Sequence, residues 1–153
     1  MSPTDSRVLR GEDFTWPDVP LLAYKNDGSP FRDITRRTLL GDAPGEAALD
    51  FVVRYFELQV DGYSTLERHE HPHAVVILRG RGAVILGDRV HTVQTGDCVY
   101  VAPQCFHQFH ANADDVLGFL CVVSRERDRP LLPAEAELAR LREVPEVARL
   151  LRV

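Results

Sequence analysis

The sequence predicts an all-β protein, a single antiparallel β-barrel of the jelly-roll type with a short helical tail. Over residues 52–60 apolar side chains recur with the period of two that is expected of a strand with one buried face. Turn residues then recur at short intervals along the chain, at Gly80 and Gly82, Gly87 and Asp88, Gly96 and Asp97, Pro103 and 112–115. Short strands at this spacing favour a barrel or a sandwich over a βαβ protein.

The chain has 153 residues, enough for one hydrophobic core and too few to divide comfortably into two domains. Within this single domain the composition indicates an N-terminal arm at 1–44, the β-barrel at 45–125 and a helical tail at 126–153. In the tail, Leu138 and Leu141 stand at helical spacing, and Pro145 begins a second short helix.

Residues 30–40 of the arm read as an extended strand for which no neighbouring segment of the sequence supplies a partner. Because unpaired strand edges are usually covered in folded proteins, we expect the barrel to associate as a homodimer. A monomeric mass in sedimentation would contradict that expectation.

Charge and composition narrow the classes of partner. The 18 basic and 23 acidic residues give a net charge of -5, and the basic residues form no stripe of the kind that nucleic acids require. No segment approaches the roughly 20 apolar residues of a membrane span, and the N-terminus lacks the apolar core of a signal peptide. We therefore expect a cytoplasmic protein that binds neither nucleic acid nor membrane. The three cysteines are expected to be reduced and partly buried fillers: Cys98, Cys105 and Cys121.

Four of the six histidines fall in two short segments, 67–73 and 103–107. Residues two apart in a strand face the same side, so the first segment offers one row of metal-binding groups: Glu67, His69, His71 and His73. Pro72 must bend or end that strand, because it cannot donate to a ladder, so the ligands would converge from several directions. Imidazoles with a carboxylate suit one divalent ion of Fe, Mn, Ni, Cu, Co or Zn.

These two segments resemble the motifs of the cupin superfamily. The first family motif reads Gly, five residues, His-x-His, three or four residues, Glu, six residues, Gly, and the matching stretch here is 62–80. The second motif matches 96–111 and places His107 at its histidine. Three positions of that second stretch depart from the family pattern: Ala102, Gln104 and Ala111. The resemblance implies a double-stranded β-helix barrel with His107 as a metal ligand.

The first motif aligns in two registers. Counting back from Gly80 without a gap places His73 at the family's Glu position, with Glu67 and His69 at the His-x-His positions. The other register makes His71 a ligand and Glu67 a partner for an imidazole N–H. The ungapped register is favoured, because the strand after His73 then keeps its length and pleat.

The remaining candidates have simpler interpretations. His91 has no place in either motif, and His110 is odd-phased to His107, so surface or core positions are expected for both. Cys105 is interpreted as a small apolar filler. Four large apolar side chains are expected to line the barrel: Phe56, Ile77, Phe109 and Phe119.

The resemblance also implies chemistry. Three histidines and one carboxylate would leave coordination positions open, as reactive metal sites do. We expect a metal-dependent enzyme acting on a small oxygenated or acidic metabolite, of the dioxygenase, decarboxylase or isomerase type, with a dioxygenase favoured. Glu67 would be its catalytic residue, as a ligand or proton acceptor. The alternative is a non-catalytic module that binds a small molecule or metal and acts as a sensor or partner protein.

Overall fold

The computed structural model describes residues 6–153. That part of the chain contains eight strands followed by two helices: β1 Leu22–Ala23, β2 Arg32–Leu40, β3 Phe51–Tyr63, β4 His73–Leu86, β5 Arg89–Gln94, β6 Cys98–Val101, β7 His107–Ala111, β8 Leu117–Ser124, α1 Glu135–Arg142 and α2 Pro145–Leu150. Strands come first and helices last, as the hydrophobic pattern predicts.

Four strands close the barrel, and each is antiparallel to the next. β8 lies between β3 and β4 and pairs with both. β7 pairs with the second half of β4 and meets β3 where Tyr63 lies opposite His110. The circuit β3, β8, β4, β7 therefore returns to its first strand, and the predicted antiparallel barrel with a helical tail is confirmed.

β4 runs from His73 to Leu86 through the glycines at which the sequence indicated a turn, so that prediction was wrong. Gly80 has a φ of +75°, and a Cβ there would lie 1.8 Å from the Val116 carbonyl oxygen. A Cβ at Gly82 would lie 2.1 Å from the His110 carbonyl oxygen. Because only glycine tolerates such close backbone, these residues let β4 bend past its neighbours without reversing.

β2 pairs antiparallel with β3 of the same chain, so the expectation of an unpartnered arm strand was wrong. Arg36 lies opposite Phe56, and Thr38 lies opposite Arg54. β3 is 13 residues long and carries β2 along one edge and β8 along the other. Among the described residues the other edge of β2 pairs only with the two residues of β1, at Thr35 and Arg36, and the homodimer stays a prediction.

The barrel interior holds the main hydrophobic cluster, which includes the four residues expected to line it: Phe56, Ile77, Phe109 and Phe119. A second cluster packs the tail on the outside of the barrel, where Leu66 and Ile85 contact Leu141, Val147 and Leu151. Neither helix within residues 6–153 has the length and apolar character needed to cross a membrane.

Candidate metal centre

Three histidines from different segments meet inside the barrel. His73 is the first residue of β4, His107 is the first residue of β7, and His69 lies in the segment between β3 and β4. Backbone hydrogen bonds fix these segments together, because Glu67 and His107 exchange N–H and C=O groups and Gln104 donates to the His69 carbonyl at 2.8 Å. Among residues 6–153, the potential metal-ligating atoms that lie within 4.8 Å of one another belong to His69, His73 and His107.

Hydrogen bonds orient the three rings. His69 Nδ1 lies 2.6 Å from the His71 carbonyl oxygen, and His107 Nδ1 lies 2.9 Å from the Cys105 carbonyl oxygen. A carbonyl oxygen only accepts, so both Nδ1 atoms carry the proton and both Nε2 atoms keep a free lone pair. His73 Nδ1 lies 3.1 Å from the sulfur of Cys121.

The free ring nitrogens fit a metal ion. The Nε2 atoms of His69 and His73 are buried and have no hydrogen-bond partner among the described residues. Such atoms cost free energy unless something pairs with them. A divalent ion ligated by the three imidazoles would satisfy them, and imidazole is a preferred ligand of first-row transition metals.

Burial keeps the three imidazoles neutral. It lowers the pKa of His69 and His73, and it lowers the pKa of His107 to about 4. For His73 and His107 the charge of a neighbouring histidine of the group adds to that effect. Only a neutral imidazole can bind a metal, so the site is in its ligating form at neutral pH.

Glu67 lies beside this group and is bonded to a lysine. Its side chain is buried, and Lys25 Nζ donates a hydrogen bond to Glu67 Oε2. Burial raises the pKa of Glu67, and the charge of Lys25 opposes that rise. The carboxylate therefore shares the cavity with His73 and His107, while its charge is balanced by a residue of the N-terminal arm.

His71 takes a different direction from the three converging histidines. Its Nδ1 lies 2.7 Å from Asp128 Oδ1, and Asp128 also accepts the backbone N–H groups of Glu70 and His71. Those bonds, led by the one from Glu70, lower the pKa of Asp128. The His71 ring stacks on the His69 ring with centroids 3.7 Å apart. His71, held by Asp128, therefore packs against His69 and helps to fix its position.

A small cavity of about 30 Å³ adjoins the histidines in the barrel interior. A single water molecule needs about 10–15 Å³ of such volume, so the cavity has room for a metal ion and little else. Aromatic rings form much of its wall, including Phe56, Phe109 and Phe119. The thiol of Cys121 also lines it, and Arg54 Nη2 lies 3.4 Å from that sulfur.

Three residues at this site carry no signal in the two sequence motifs. Lys25 lies 42 positions before its partner Glu67, and Asp128 lies 57 positions after His71. Cys121 was interpreted as a filler, and it is reduced and buried, but it also faces the cavity. The sequence signal that could have found it is its spacing of two from Phe119, because residues two apart in a strand share a face.

A closed antiparallel barrel with inward-facing histidines defines a class of small metal-binding barrels, and known proteins of that class match this chain. The model of the cupin domain matches residues 54–123. A relative from Rhodospirillum rubrum, named 1-methylthio-D-xylulose 5-phosphate methylsulfurylase, is 49% identical over 136 residues, which cover 88% of this chain and 85% of the relative. The chain belongs to the cupin superfamily.

Two crystal structures agree with this assignment. A cupin-2 domain protein from Rhodospirillum rubrum has 46% sequence identity and a TM-score of 0.81, with 93% of each chain covered. A cupin 2 conserved barrel domain protein from Rhodopseudomonas palustris has 45% identity and a TM-score of 0.82, covering 90% of this chain and 93% of that one. Both resemblances extend well beyond the two motifs and include most of the N-terminal arm and the tail.

Proposed function

We propose that this chain is a metal-dependent cupin enzyme that removes the methylthio group from a 1-methylthio ketose phosphate. The observation that carries the proposal is a buried thiol, Cys121, 3.1 Å from a histidine of the candidate metal centre. The 49% identity to the relative from Rhodospirillum rubrum supplies the substrate class. Such a substrate is small, oxygenated and acidic, as the sequence leads us to expect.

The residues of the cavity divide the work. His69, His73 and His107 would hold a divalent ion, which when bound supplies a Lewis acid for a substrate oxygen. With His73 Nε2 turned to the ion, its Nδ1 carries a proton and donates to the sulfur of Cys121. Burial raises the pKa of the Cys121 thiol, and the charge and hydrogen bond of Arg54 oppose that rise. The N–H groups of Arg54 and His73 are therefore the two donors that would stabilise the thiolate form.

The proposed step is attack by the Cys121 thiolate on the sulfur of the methylthio group. A bond forms between the two sulfurs, and the bond from the substrate sulfur to C1 breaks. Its electron pair passes to C1, next to the ketone carbonyl, and C1 takes up a proton to leave a 1-deoxy ketose phosphate. Glu67, buried in the same cavity, is the group we assign to that proton transfer.

A soluble thiol completes the cycle. It attacks the methyl disulfide on Cys121, leaves as a mixed disulfide with the methylthio group, and returns the enzyme thiol. A ketose phosphate needs more space than a cavity of about 30 Å³ offers, and Tyr24 of the arm forms part of the cavity wall.

The test is turnover of 1-methylthio-D-xylulose 5-phosphate by the metal-loaded protein in the presence of a soluble thiol. Cys121→Ser should lose turnover, and the matched variant Cys98→Ser, at an exposed position, should keep it. Without the soluble thiol, mass spectrometry should find one methylthio group in place of a hydrogen on Cys121. Full activity of Cys121→Ser would overturn the proposed step.

Other reactions expected from the sequence are distinguished by the same assay. Oxygen uptake would favour a dioxygenase, whereas a melting shift with this substrate and no turnover would favour the non-catalytic binding module. Metal analysis of protein purified without chelators identifies the ion, which the histidine ligands alone do not select among Fe, Mn, Ni, Cu, Co and Zn.

A further inference from the structure

Two arginines face the barrel interior next to the candidate metal centre. Arg54 lies opposite Cys121 on β8, and Arg36 lies opposite Phe56 on β3. Directly opposed residues of antiparallel strands share a face, and Arg54 and Phe56 are two apart on one strand. Both arginines therefore lie on the face that carries the cavity residues Phe56 and Cys121.

These two half-buried arginines lack the ion pairs that cations held away from solvent normally form. The Nε atoms of Arg36 and Arg54 are buried without a hydrogen-bond partner in residues 6–153. Arg54 contacts the sulfur of Cys121 and lies 5.0 Å from the ring of Phe56. Within the described chain neither arginine forms an ion pair with a carboxylate, although buried charges are normally paired.

The two arginines are also close neighbours on that face. Arg36 lies opposite Phe56 and Thr38 lies opposite Arg54, so the two arginines are diagonal neighbours across β2 and β3. Such neighbours stand about 7–8 Å apart, within reach of long side chains. Two guanidinium groups that face the interior and have no carboxylate partner among the described residues thus lie side by side.

We propose that Arg36 and Arg54 form the binding site for a phosphate monoester beside the metal cavity. This inference rests on the proposed function, because it places the phosphate of the ketose phosphate whose methylthio group meets Cys121. A phosphate dianion neutralises clustered cations, and its oxygens accept the paired N–H groups of guanidinium forks. Arg54 touches the sulfur of Cys121, so the phosphate end and the reacting end of one small substrate would be bound side by side.

Binding of inorganic phosphate to the metal-loaded full chain tests this site without any need for turnover. Isothermal titration calorimetry compares the parent protein with Arg36→Gln and Arg54→Gln. Each loss of a charge-assisted contact should weaken phosphate binding about 10-fold or more. The control for net charge is Arg129→Gln, an exposed arginine in the segment after β8, and it should change the affinity by less than about twofold.

If phosphate binds equally well to all three variants, it is held by the metal or by diffuse charge. That result would overturn the proposed arginine site. An equal loss in Arg129→Gln would overturn it as well, because net charge alone would then explain the affinity. Thermal unfolding of each variant without phosphate shows whether a loss of phosphate binding reflects misfolding. If a Gln variant does not fold, Lys is substituted at that position instead.

Kinetics separate this inference from the proposed function. If the parent protein turns over the methylthio ketose phosphate, Arg36→Gln should raise the KM for that substrate about 10-fold or more. The KM for the unphosphorylated sugar should not change. If the parent shows no turnover but the phosphate titrations behave as expected, the arginine site stands and the proposed reaction is wrong.

Discussion

Strand β7 carries two buried histidines that differ in what their rings contact. His107 Nδ1 is bonded to the Cys105 carbonyl, and the ring meets His69 and His73 in the candidate metal centre. His110 Nε2 is bonded instead to Gln108 Oε1 at 2.8 Å. Burial lowers the pKa of both rings to about 4.

The two histidines show that burial and a lowered pKa do not by themselves identify a metal ligand. Gln108 Nε2 donates to the Ser64 and Arg152 carbonyls, so its Oε1 faces His110 as an acceptor and His110 Nε2 must carry the proton. At the other end of the strand the proton is on Nδ1, and the Nε2 lone pair is free. The position of the proton, set by the hydrogen-bond partner, distinguishes a ligand from a structural residue.

The largest effect should follow from removing a ring of the converging group. His73→Ala should lower metal affinity by more than about 100-fold, since even groups that only orient ligands cost about 10–100-fold. Metal content after dialysis and calorimetric titration measure it. His91→Ala, at an exposed position on β5, is the control and should retain one equivalent of metal. A His73→Ala protein with unchanged affinity would refute the three-histidine centre.

A smaller effect is expected at Glu67. Its carboxylate shares the cavity but is bonded to Lys25, so Glu67→Gln should weaken metal binding about 10–100-fold and remove turnover. Lys25→Met keeps the Glu67 carboxylate and removes the cation bonded to it. Comparing the two variants therefore distinguishes the effect of the carboxylate from the effect of its pairing with Lys25. Loss of metal as complete as in His73→Ala would make Glu67 a direct ligand.

A still smaller effect is expected at His71, whose ring braces His69 and pairs with Asp128. His71→Ala keeps the backbone carbonyl that orients His69, so metal affinity should fall by no more than about 10-fold. Asp128→Asn should behave alike, because it weakens the same attachment. Metal-free protein after His71→Ala, with His73→Ala still loaded, would favour the other register of the first motif.

The smallest effect at neutral pH is expected for His110→Phe. Gln108 Oε1 would keep the Arg152 backbone N–H at 3.0 Å, so the free energy of unfolding at pH 7 should change by about 1 kcal/mol or less. Acid should reveal the difference. The pKa of His110 is about 4 when folded and 6.5 in its unperturbed form, so the unfolded chain binds more protons between those values.

Stability of the metal-free parent should therefore fall as the pH drops from 6.5 to 4, and His110→Phe should show a shallower fall. His110 should account for a loss of unfolding free energy on the order of 1–3 kcal/mol at the acid end of that pH range. Urea unfolding at several pH values measures it. If the free energy of unfolding falls equally in the two proteins between pH 6.5 and 4, His110 is not titrating in this way.

The sequence predicted the barrel because local patterns encode it. Val52, Phe56 and Leu58 alternate and are all buried, although Val60 of the same pattern is exposed. The other face of β3 could not be predicted in this way. Tyr55 is buried there because Trp16 of the arm packs against its ring at 5.2 Å, and that contact joins distant parts of the chain.

The candidate site was predictable as a set of histidines but not as a geometry. Counting residues could not show how far Pro72 turns the chain, and the structure brings His73 to His69 while His71 faces Asp128. The partners of the histidines and of Glu67 come from outside the motifs, because loops and the arm are positioned by the whole barrel. Lys25, Asp128 and the neighbouring arginines Arg36 and Arg54 are therefore findings of the structure alone.

The length of β4 has a consequence for how the protein opens. Its first residue is His73, its last residue, Leu86, lies opposite His107, and strands border it on both sides. Its amide protons should therefore exchange with solvent only when the barrel as a whole comes apart. A metal ion that binds only the folded chain lowers the population of the opened state by mass action, so bound metal should protect β4 amides far from the ion as strongly as those beside it.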